Sequence, residues 1–432
     1  MARVEQAPEL TENIKIALFS DPERLSRLYA LACDVSGYPN WQYIKYHAPS
    51  GINAKEFWQL VVLARNLRNV DALTTEGGRP FRISSPNDLL RMLTRVDRQL
   101  GFSIETDSPF RGLNRDLQRT YIQRTLTEEA ISSSQMEGAA TTREVARKMI
   151  AEGRAPKDQS ERMILNNYMT MESLDKWKDE PLSEELLFEM QRQLCDGLLP
   201  VEKMGRYRTV DEQIYVGRGI DEVLHDPPVA TSLPERIARV IAFANEDDDS
   251  GGLFLHPLVK AAILHFMIGY EHPFCDGNGR TARAIFYWYL LRKGYWIMKF
   301  ISISGVLKTP SWNKRYGQAY LDVENCGNDL TYFVLMQLEA LCEAAKEFHK
   351  YIDKRQSEGR MLYETLKSVL NVRQIDVVAH MHRHPGYVYK ALEHAHWHSI
   401  SANTARADLE GLVAKGFMQS MRVGKEFQYF AK

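Results

Sequence analysis

The sequence lacks any apolar run near the ~20 residues that a membrane-spanning helix needs, which argues against a bilayer span. It also lacks an excess charge of one sign. Lys and Arg total 55 against 56 Asp and Glu, a formal net charge of -1. Strong whole-molecule attraction to nucleic acid or anionic lipid is therefore not expected. Cysteine is scarce: Cys33, Cys195, Cys275, Cys326 and Cys342 are scattered, odd in number and form no CxxC pair. That pattern excludes a disulfide framework and predicts free thiols in a reducing compartment. The first residues, MARVEQAPELTENIKIALFSD, have no basic segment followed by an apolar one, so no signal peptide and a cytoplasmic location are expected. Internal repeats and low-complexity segments are absent too.

What is present is ordinary globular material, with 44% hydrophobic and 26% charged residues over 432 positions. Single cores rarely grow beyond ~250–300 residues, so two or three domains are expected. Helical periodicity dominates, as in 54–69, 86–100 and 158–176. Residues 1–116 read as an N-terminal helical region whose one extended stretch is WQYIKYHAPSG. Helices continue over 117–350, broken by a segment rich in Gly, Pro and β-formers at 205–233, with Gly217 and Gly219 placed for a hairpin turn. The run NEDDDSGG at 245–252 reads as a solvated loop, and Ser357, Glu358 and Gly359 as a linker. Residues 360–432 follow a different pattern. A helix capped by Ser401, with Leu409 and Leu412 inward, stops at Gly416, and two strands flank Val423, Gly424 and Lys425. This order resembles a winged helix-turn-helix.

Chemistry concentrates in HPFCDGNGRTAR at 272–283. The preceding helix, HPLVKAAILHFMIGY, is apolar on nearly all sides and reads as the buried centre of a helical domain. The next, TARAIFYWYLLRK, closes at Gly294. DGNGR is thus a loop that ends at a helix N-terminus, where backbone N–H groups are free and glycines admit an anion. Arg280 and Arg283 fall in the first turn, where cations oppose the helix dipole by ~0.3–1 kcal/mol each. A bound polyphosphate would repair that mismatch. Asp276 would repel it unless a divalent cation intervened, and Mg²⁺ suits one carboxylate plus phosphate oxygens. His272 has the ordinary pKa range of a general base.

Rival readings fail on context. Gly277, Gly279 and Ala282 fit a dinucleotide fingerprint in form, but a helix precedes them where that motif needs a strand. No GxxxxGK[ST] loop occurs, and a zinc site at His272 and Asp276 lacks further close ligands. A purely structural loop explains the glycines but not the arginines, the aspartate and the histidine together.

HPFCDGNGRTAR resembles the Fic motif, HxFx[D/E]GNGRxxR, at every defined position. GRYR at 205–208, HPLVKAA at 256–262 and the stretch 315–333 extend the likeness over roughly 120–345. The resemblance implies a mainly α fold: a Fic-type helical core with a small β-hairpin flap at 205–228, an N-terminal helical extension and a C-terminal winged helix domain. It implies transfer of AMP from ATP to a Ser, Thr or Tyr hydroxyl of a target protein, with release of pyrophosphate. By position, His272 would deprotonate the acceptor and Phe274 would anchor the loop. Asp276 would hold Mg²⁺, while Gly277, Asn278, Gly279 and Arg280 would line the phosphates and Arg283 would meet the γ-phosphate. The intact glycine of GNGR distinguishes the loop from the phosphate-transferring Doc branch, which has lysine there.

Residues 133–138, SSQMEG, match the family's inhibitory pattern [S/T]xxxE[G/N] as Ser133, Glu137 and Gly138. The residues point the same way. An inhibitory helix over 127–138 ends at Gly138, and Thr141 with Glu144 has capping-box spacing for the next helix. Glu137 then sits at a helix's negative end and should seek a cation; by resemblance that cation is Arg283. Relatives also use such a glutamate to remove AMP. Two further functions therefore stand beside adenylyl transfer: a de-AMPylating hydrolase, and a nucleotide-sensing transcriptional regulator acting through the tail. Tyr316 and Asn325 lie near the adenine position of relatives, in a loose alignment, and carry no assignment.

The tail holds His380, His382, His384, His394, His396 and His398, half of the chain's 12 histidines. Solvated or DNA-facing roles rank ahead of metal binding. Ten Lys or Arg against six Asp or Glu over 360–432 permit DNA contact, but docking of a protein or of a second copy ranks ahead. ATP, Mg²⁺, an unidentified target protein and self-modification complete the expected partners, with no membrane.

Overall fold

A computed structural model describes residues 6–9, 20–33, 35, 37–74, 80–100, 115–212, 214–218, 222–246, 254–383, 386–398, 400–423 and 426–432. The chain divides into two compact units, 1–346 and 347–432. The division falls within one long helix, Thr331–Leu366, so Ser357, read as a linker, is helical instead. Gly219, the acidic run from 247 on, Gly424, Lys425 and His384 lie outside the described residues.

The first unit opens with α1 (Pro22–Cys33), α2 (Trp41–His47) and α3 (Ala54–Asn66). The stretch expected to be extended is α2. Asn40 caps it by accepting from the Tyr43 N–H at 3.0 Å, and Trp41 and Ile44 share its buried face. Its many β-forming aromatics mislead because burial outweighs propensity. The N-terminal region also contains a hairpin, β1 (Asn69–Leu73) and β2 (Phe81–Ser84), which was expected to be helical. Its outer edge is paired. Arg82 donates its N–H to the Asn328 carbonyl at 2.9 Å and accepts from Leu330 at 2.8 Å.

After α4 (Asn87–Leu100), the helical body comprises α5 (Arg115–Met136), α6 (Arg143–Glu152), α7 (Gln159–Trp177) and α8 (Glu184–Cys195). A two-stranded sheet follows, β3 (Val216–Arg218) against β4 (Glu222–His225), antiparallel with a register shift between Val216 and Gly217. Then come α9 (Leu233–Asn245), α10 (Pro257–Glu271), α11 (Asn278–Arg292), α12 (Ile303–Leu307), α13 (Pro310–Asn325) and α14 (Thr331–Leu366). The expected hairpin at 205–228 is therefore present, and the unit is mainly α.

Helices α10 and α11 pack together at the centre. Twelve of the 15 residues of α10 and 13 of the 15 of α11 are buried, as the all-round apolar pattern requires. Pro257 opens α10 where its missing N–H is harmless, and Gly294 follows α11 at φ 85°. Helix α6 corrects one cap. Thr142 rather than Thr141 accepts from the Val145 N–H, at 3.4 Å.

The second unit contains α15 (Val372–Arg383), α16 (Ala391–His398), α17 (Ala402–Ala414) and the antiparallel pair β5 (Met418–Val423) and β6 (Glu426–Ala431). Ser401 caps α17, Leu409 and Leu412 are fully buried, and Gly416 takes φ 81°, as the spacing predicts. Two tail histidines are not solvated. His380 is buried and bonded to the Tyr389 hydroxyl, and His394 is buried 3.4 Å from Asp408.

Candidate active site

The loop between α10 and α11 forms because its chain must reverse at the end of a buried helix. His272 caps α10 in the left-handed region, φ 47° and ψ 56°, an uncommon conformation for a residue with a Cβ. Arg208 holds it there. Its Nε donates to the His272 carbonyl at 2.9 Å, and its backbone N–H donates to the Pro273 carbonyl at 2.8 Å. Phe274 is fully buried against Phe188, which anchors the loop as expected. Asn278 closes the turn: its Oδ1 accepts from the Phe274 N–H at 2.9 Å and its Nδ2 donates to the Phe274 carbonyl at 2.8 Å. Gly277 takes φ 85°, and a Cβ there would press on Cys195 Sγ, so only glycine fits.

The Nδ1 of His272 lies 3.0 Å from the Gly269 carbonyl. A carbonyl only accepts, so Nδ1 carries the proton and Nε2 keeps its lone pair in the neutral ring. Burial pushes the imidazole pKa below its ordinary value; the Gly269 bond opposes this, and the charge of His225 adds to it. At neutral pH the ring is an uncharged base.

Both motif arginines are buried, and both have protein partners. Arg280 donates from Nη1 to the Leu194 carbonyl at 2.8 Å and from Nη2 to Asp276 Oδ2 at 3.2 Å. Its Nε has no hydrogen-bond partner among the described residues. Arg283 donates from Nε to Ser133 Oγ at 2.7 Å, and from Nη2 to the Ser133 carbonyl at 3.1 Å and to Glu137 Oε1 at 2.7 Å. The expected pairing of Glu137 with Arg283 is thus formed. Burial raises the Glu137 pKa, but the charge and hydrogen bond of Arg283 outweigh it and hold the carboxyl below its usual range. The same carboxylate lies over Gly279, where a Cβ would collide with Oε1. An anion therefore already sits above the first turn of α11, and it is the protein's own. Gly138, at φ 96°, lets the chain leave α5 immediately after this glutamate.

Asp276 offers the one carboxylate of the loop. Its Oδ1 accepts from the Gly277 N–H at 2.6 Å, yet its side chain remains 47% exposed and keeps lone pairs toward solvent. Among the described residues no group of three or more His, Cys, Asp or Glu could hold a metal ion. A cation here would take one protein ligand and complete its shell with water and phosphate, a donor set that fits Mg²⁺.

Sequence reasoning missed several supporting residues. Gln191 donates to the Asp276 carbonyl at 3.3 Å and accepts from the Gly205 N–H at 2.6 Å, which ties the loop to the GRYR segment. Glu129, almost fully buried on α5, accepts from Ser302 Oγ at 2.9 Å, the Ser304 N–H at 3.0 Å and the Tyr287 hydroxyl at 3.0 Å. Its signal was the polar run EEAISSSQ, whose Ser132, Ser133 and Ser134 are all buried. Tyr316 packs toward the core, 2.9 Å from His265 Nε2, and the carbonyl of Asn325 accepts from Ala7.

The loop, its caps and its two buried guanidiniums coincide with a family match. Residues 181–290 match the Fic/DOC family. The chain carries a Fic domain. A protein adenylyltransferase Fic from Nematostella vectensis is 29% identical over 207 residues, covering 47% of this chain and 45% of the relative. The protein adenylyltransferase fic-1 of Caenorhabditis elegans is 28% identical over 186 residues, 42% of this chain and 34% of the relative. The chain thus spans less than half the length of these curated relatives. A crystal structure of a Fic family protein from Desulfovibrio desulfuricans G20 superposes with a TM-score of 0.54 at 20% identity, covering 81% of this chain and 97% of that one. That likeness concerns the fold, and it extends well beyond the Fic domain.

No helix among the described residues is long and apolar enough to cross a membrane.

Proposed function

We propose that this protein is an adenylyltransferase that moves AMP from ATP to a hydroxyl of a target protein, restrained by Glu137. The observation that carries the reading is the Glu137 carboxylate held by Arg283 over Gly279. A buried guanidinium binds that carboxylate beside the first turn of α11, the place where guanidinium and helix N-terminus would bind a phosphate oxygen. The γ-phosphate of ATP would compete for the same place. In the unrestrained state Nε2 of His272 takes the proton of the acceptor hydroxyl as its oxygen attacks the α-phosphorus, and pyrophosphate leaves. Gly277, Asn278 and Gly279 would line the phosphates at the start of α11, where the Gly277 N–H is held by Asp276 in the resting state, and Arg280 would lie at their edge. Asp276 would hold Mg²⁺, which when bound offsets phosphate charge. The open edge of the β3–β4 pair would receive the target chain by strand addition.

The tail we read as a winged helix-turn-helix, from three short helices followed by β5 and β6. Its exposed charge is mixed, which favours docking a protein or a second copy over DNA. A mainly hydrolytic role, with Glu137 positioning a water, uses the same groups and is the alternative.

Full-length Glu137→Gly incubated with [α-³²P]ATP and Mg²⁺ should label itself, and Glu137→Gly combined with His272→Ala should not. Label in the double variant would refute His272 as the base. Absence of transfer by Glu137→Gly to itself and to lysate proteins would overturn the reading.

A further inference from the structure

His225 closes β4 and lies at the root of the hairpin, buried to 9% exposure. Its Nδ1 is 3.1 Å from the Glu324 carboxylate of α13, and its Nε2 is 2.7 Å from the Tyr270 carbonyl of α10. Its ring lies against that of Tyr270, with centroids 4.7 Å apart. Both polar partners are acceptors. A neutral imidazole has one N–H and could satisfy only one of them, leaving a lone pair against the other. An imidazolium satisfies both.

We propose that His225 is a positioning residue that acts as an imidazolium latch, tying the hairpin root to the end of the helix that presents His272. Tyr270 is two residues before His272 in sequence, so the latch fixes the hairpin relative to the base. This deepens the adenylyl-transfer reading and rests on it for its consequence, the alignment of a target chain. The surroundings supply the charge balance. Glu324 faces the ring from α13, Tyr270 and Glu271 from α10, and Asp226 follows in the chain. Glu271 is itself paired with Arg236 of α9 at 2.5 and 2.9 Å, so Glu324 is the acid free to serve His225. Arg208 and His272 complete the neighbourhood.

The electrostatics agree with the geometry. Burial opposes the charge on His225, but Glu324 and the Tyr270 carbonyl outweigh it and raise its pKa above the ordinary value. The sign follows: with the folded pKa above ~6.5, the latch is complete below that pH and is lost as pH rises through the raised value. The same positive charge helps to keep His272 neutral. One proton thus fixes the hairpin and clears the base.

The test uses the full chain without nucleotide, labelled with ¹³Cε1-histidine and titrated by NMR, with His225 assigned by comparison with His225→Gln. The latch predicts a midpoint above ~6.5, and a lower midpoint in Glu324→Gln, which keeps the side-chain shape should His225→Gln misfold. Hydrogen exchange at β3 and β4, corrected for intrinsic rates, should lose roughly tenfold protection across that titration, the scale of one charge-assisted bond. A midpoint at or below ~6.5, or protection unchanged across the titration, overturns the proposal. In the Glu137→Gly background, His225→Gln should also move the acid limb of self-labelling to higher pH; an unmoved limb contradicts the link to the base. If Glu137→Gly transfers no label, adenylyl transfer fails while the titration still decides the latch.

Discussion

Glu137 and Arg283 lie 146 residues apart in the chain, yet the carboxylate of one accepts from the guanidinium of the other at 2.7 Å. Arg283 is 2% exposed and Glu137 29%, so the pair is reached by solvent only from the glutamate side. That is the side from which a nucleotide would enter.

Breaking this pair leaves a buried cation without its paired carboxylate, held by the Ser133 hydroxyl and carbonyl and the neighbouring Tyr316. Glu137→Gly should therefore lower the stability of the first unit by about 1–3 kcal/mol. ATP with Mg²⁺ should restore more of it than in the unsubstituted chain, because the phosphate replaces the carboxylate. Differential scanning fluorimetry with and without nucleotide measures both effects. Equal ATP-induced shifts in the two chains would show that Glu137 does not compete with the ligand.

The protonation state of His272 sets a pH dependence. Burial lowers its pKa, so the basic form predominates at pH 7, and activity should fall to half only at a pH below ~6.5. The initial rate of self-labelling by Glu137→Gly between pH 5 and 8 gives the midpoint. A limb centred above ~7 would mean that the ring is not held neutral by its site.

Glu129 fixes the height of α5, two turns before Glu137. Glu129→Gln turns an acceptor of several donors into a group whose NH₂ faces them. A loss of about 1–3 kcal/mol is expected in urea unfolding of the first unit, with a weaker brake as the helix shifts. Self-labelling of Glu129→Gln above that of the unsubstituted chain checks the second effect.

How far the sequence discloses such contacts depends on their range. The stop of α17 at Gly416, the Ser401 cap and the burial of Leu409 and Leu412 rest on residues a few positions apart, and periodicity reveals them. So does the loop itself, because glycines, asparagine and helix ends act locally. The partners of Arg280 are another matter. Its bond to Leu194 spans 86 residues and ends on a carbonyl, a group every residue carries. The two arginines looked unsupported at a helix N-terminus because, Asp276 aside, their acceptors come from α8 and from Ser133 and Glu137 at the end of α5. Helix α2 and the hairpin β1–β2 failed for a related reason: short elements take their form from what covers them. Glu137 was legible only because its motif places it, since nothing in its local surroundings names Arg283.

The tail offers an independent check. Asp408, 4% exposed, accepts from Arg373 Nε at 2.6 Å and Asn371 Nδ2 at 2.8 Å. Burial raises its pKa, but Arg373 and Asn371 bring it below the usual range. A depressed carboxylate contributes stability above its unfolded pKa of ~3.9 and loses it as pH falls through the folded value. Asp408→Ala should cost about 1–3 kcal/mol, less than a fully buried pair because Arg373 is partly exposed. Calorimetry should show the 347–432 transition lowered and the first unchanged; a shift of the first instead would contradict this assignment.

The proposed adenylyl transfer requires the first turn of α11 with Arg283 to be a cradle for a triphosphate, filled by Glu137 at rest. A crystal structure of Glu137→Gly with ATP and Mg²⁺ tests it most directly. The account predicts the γ-phosphate within hydrogen-bond distance of the Arg283 guanidinium, and the α-phosphorus facing Nε2 of His272. A triphosphate bound elsewhere, with Arg283 still turned only to Ser133, would contradict it.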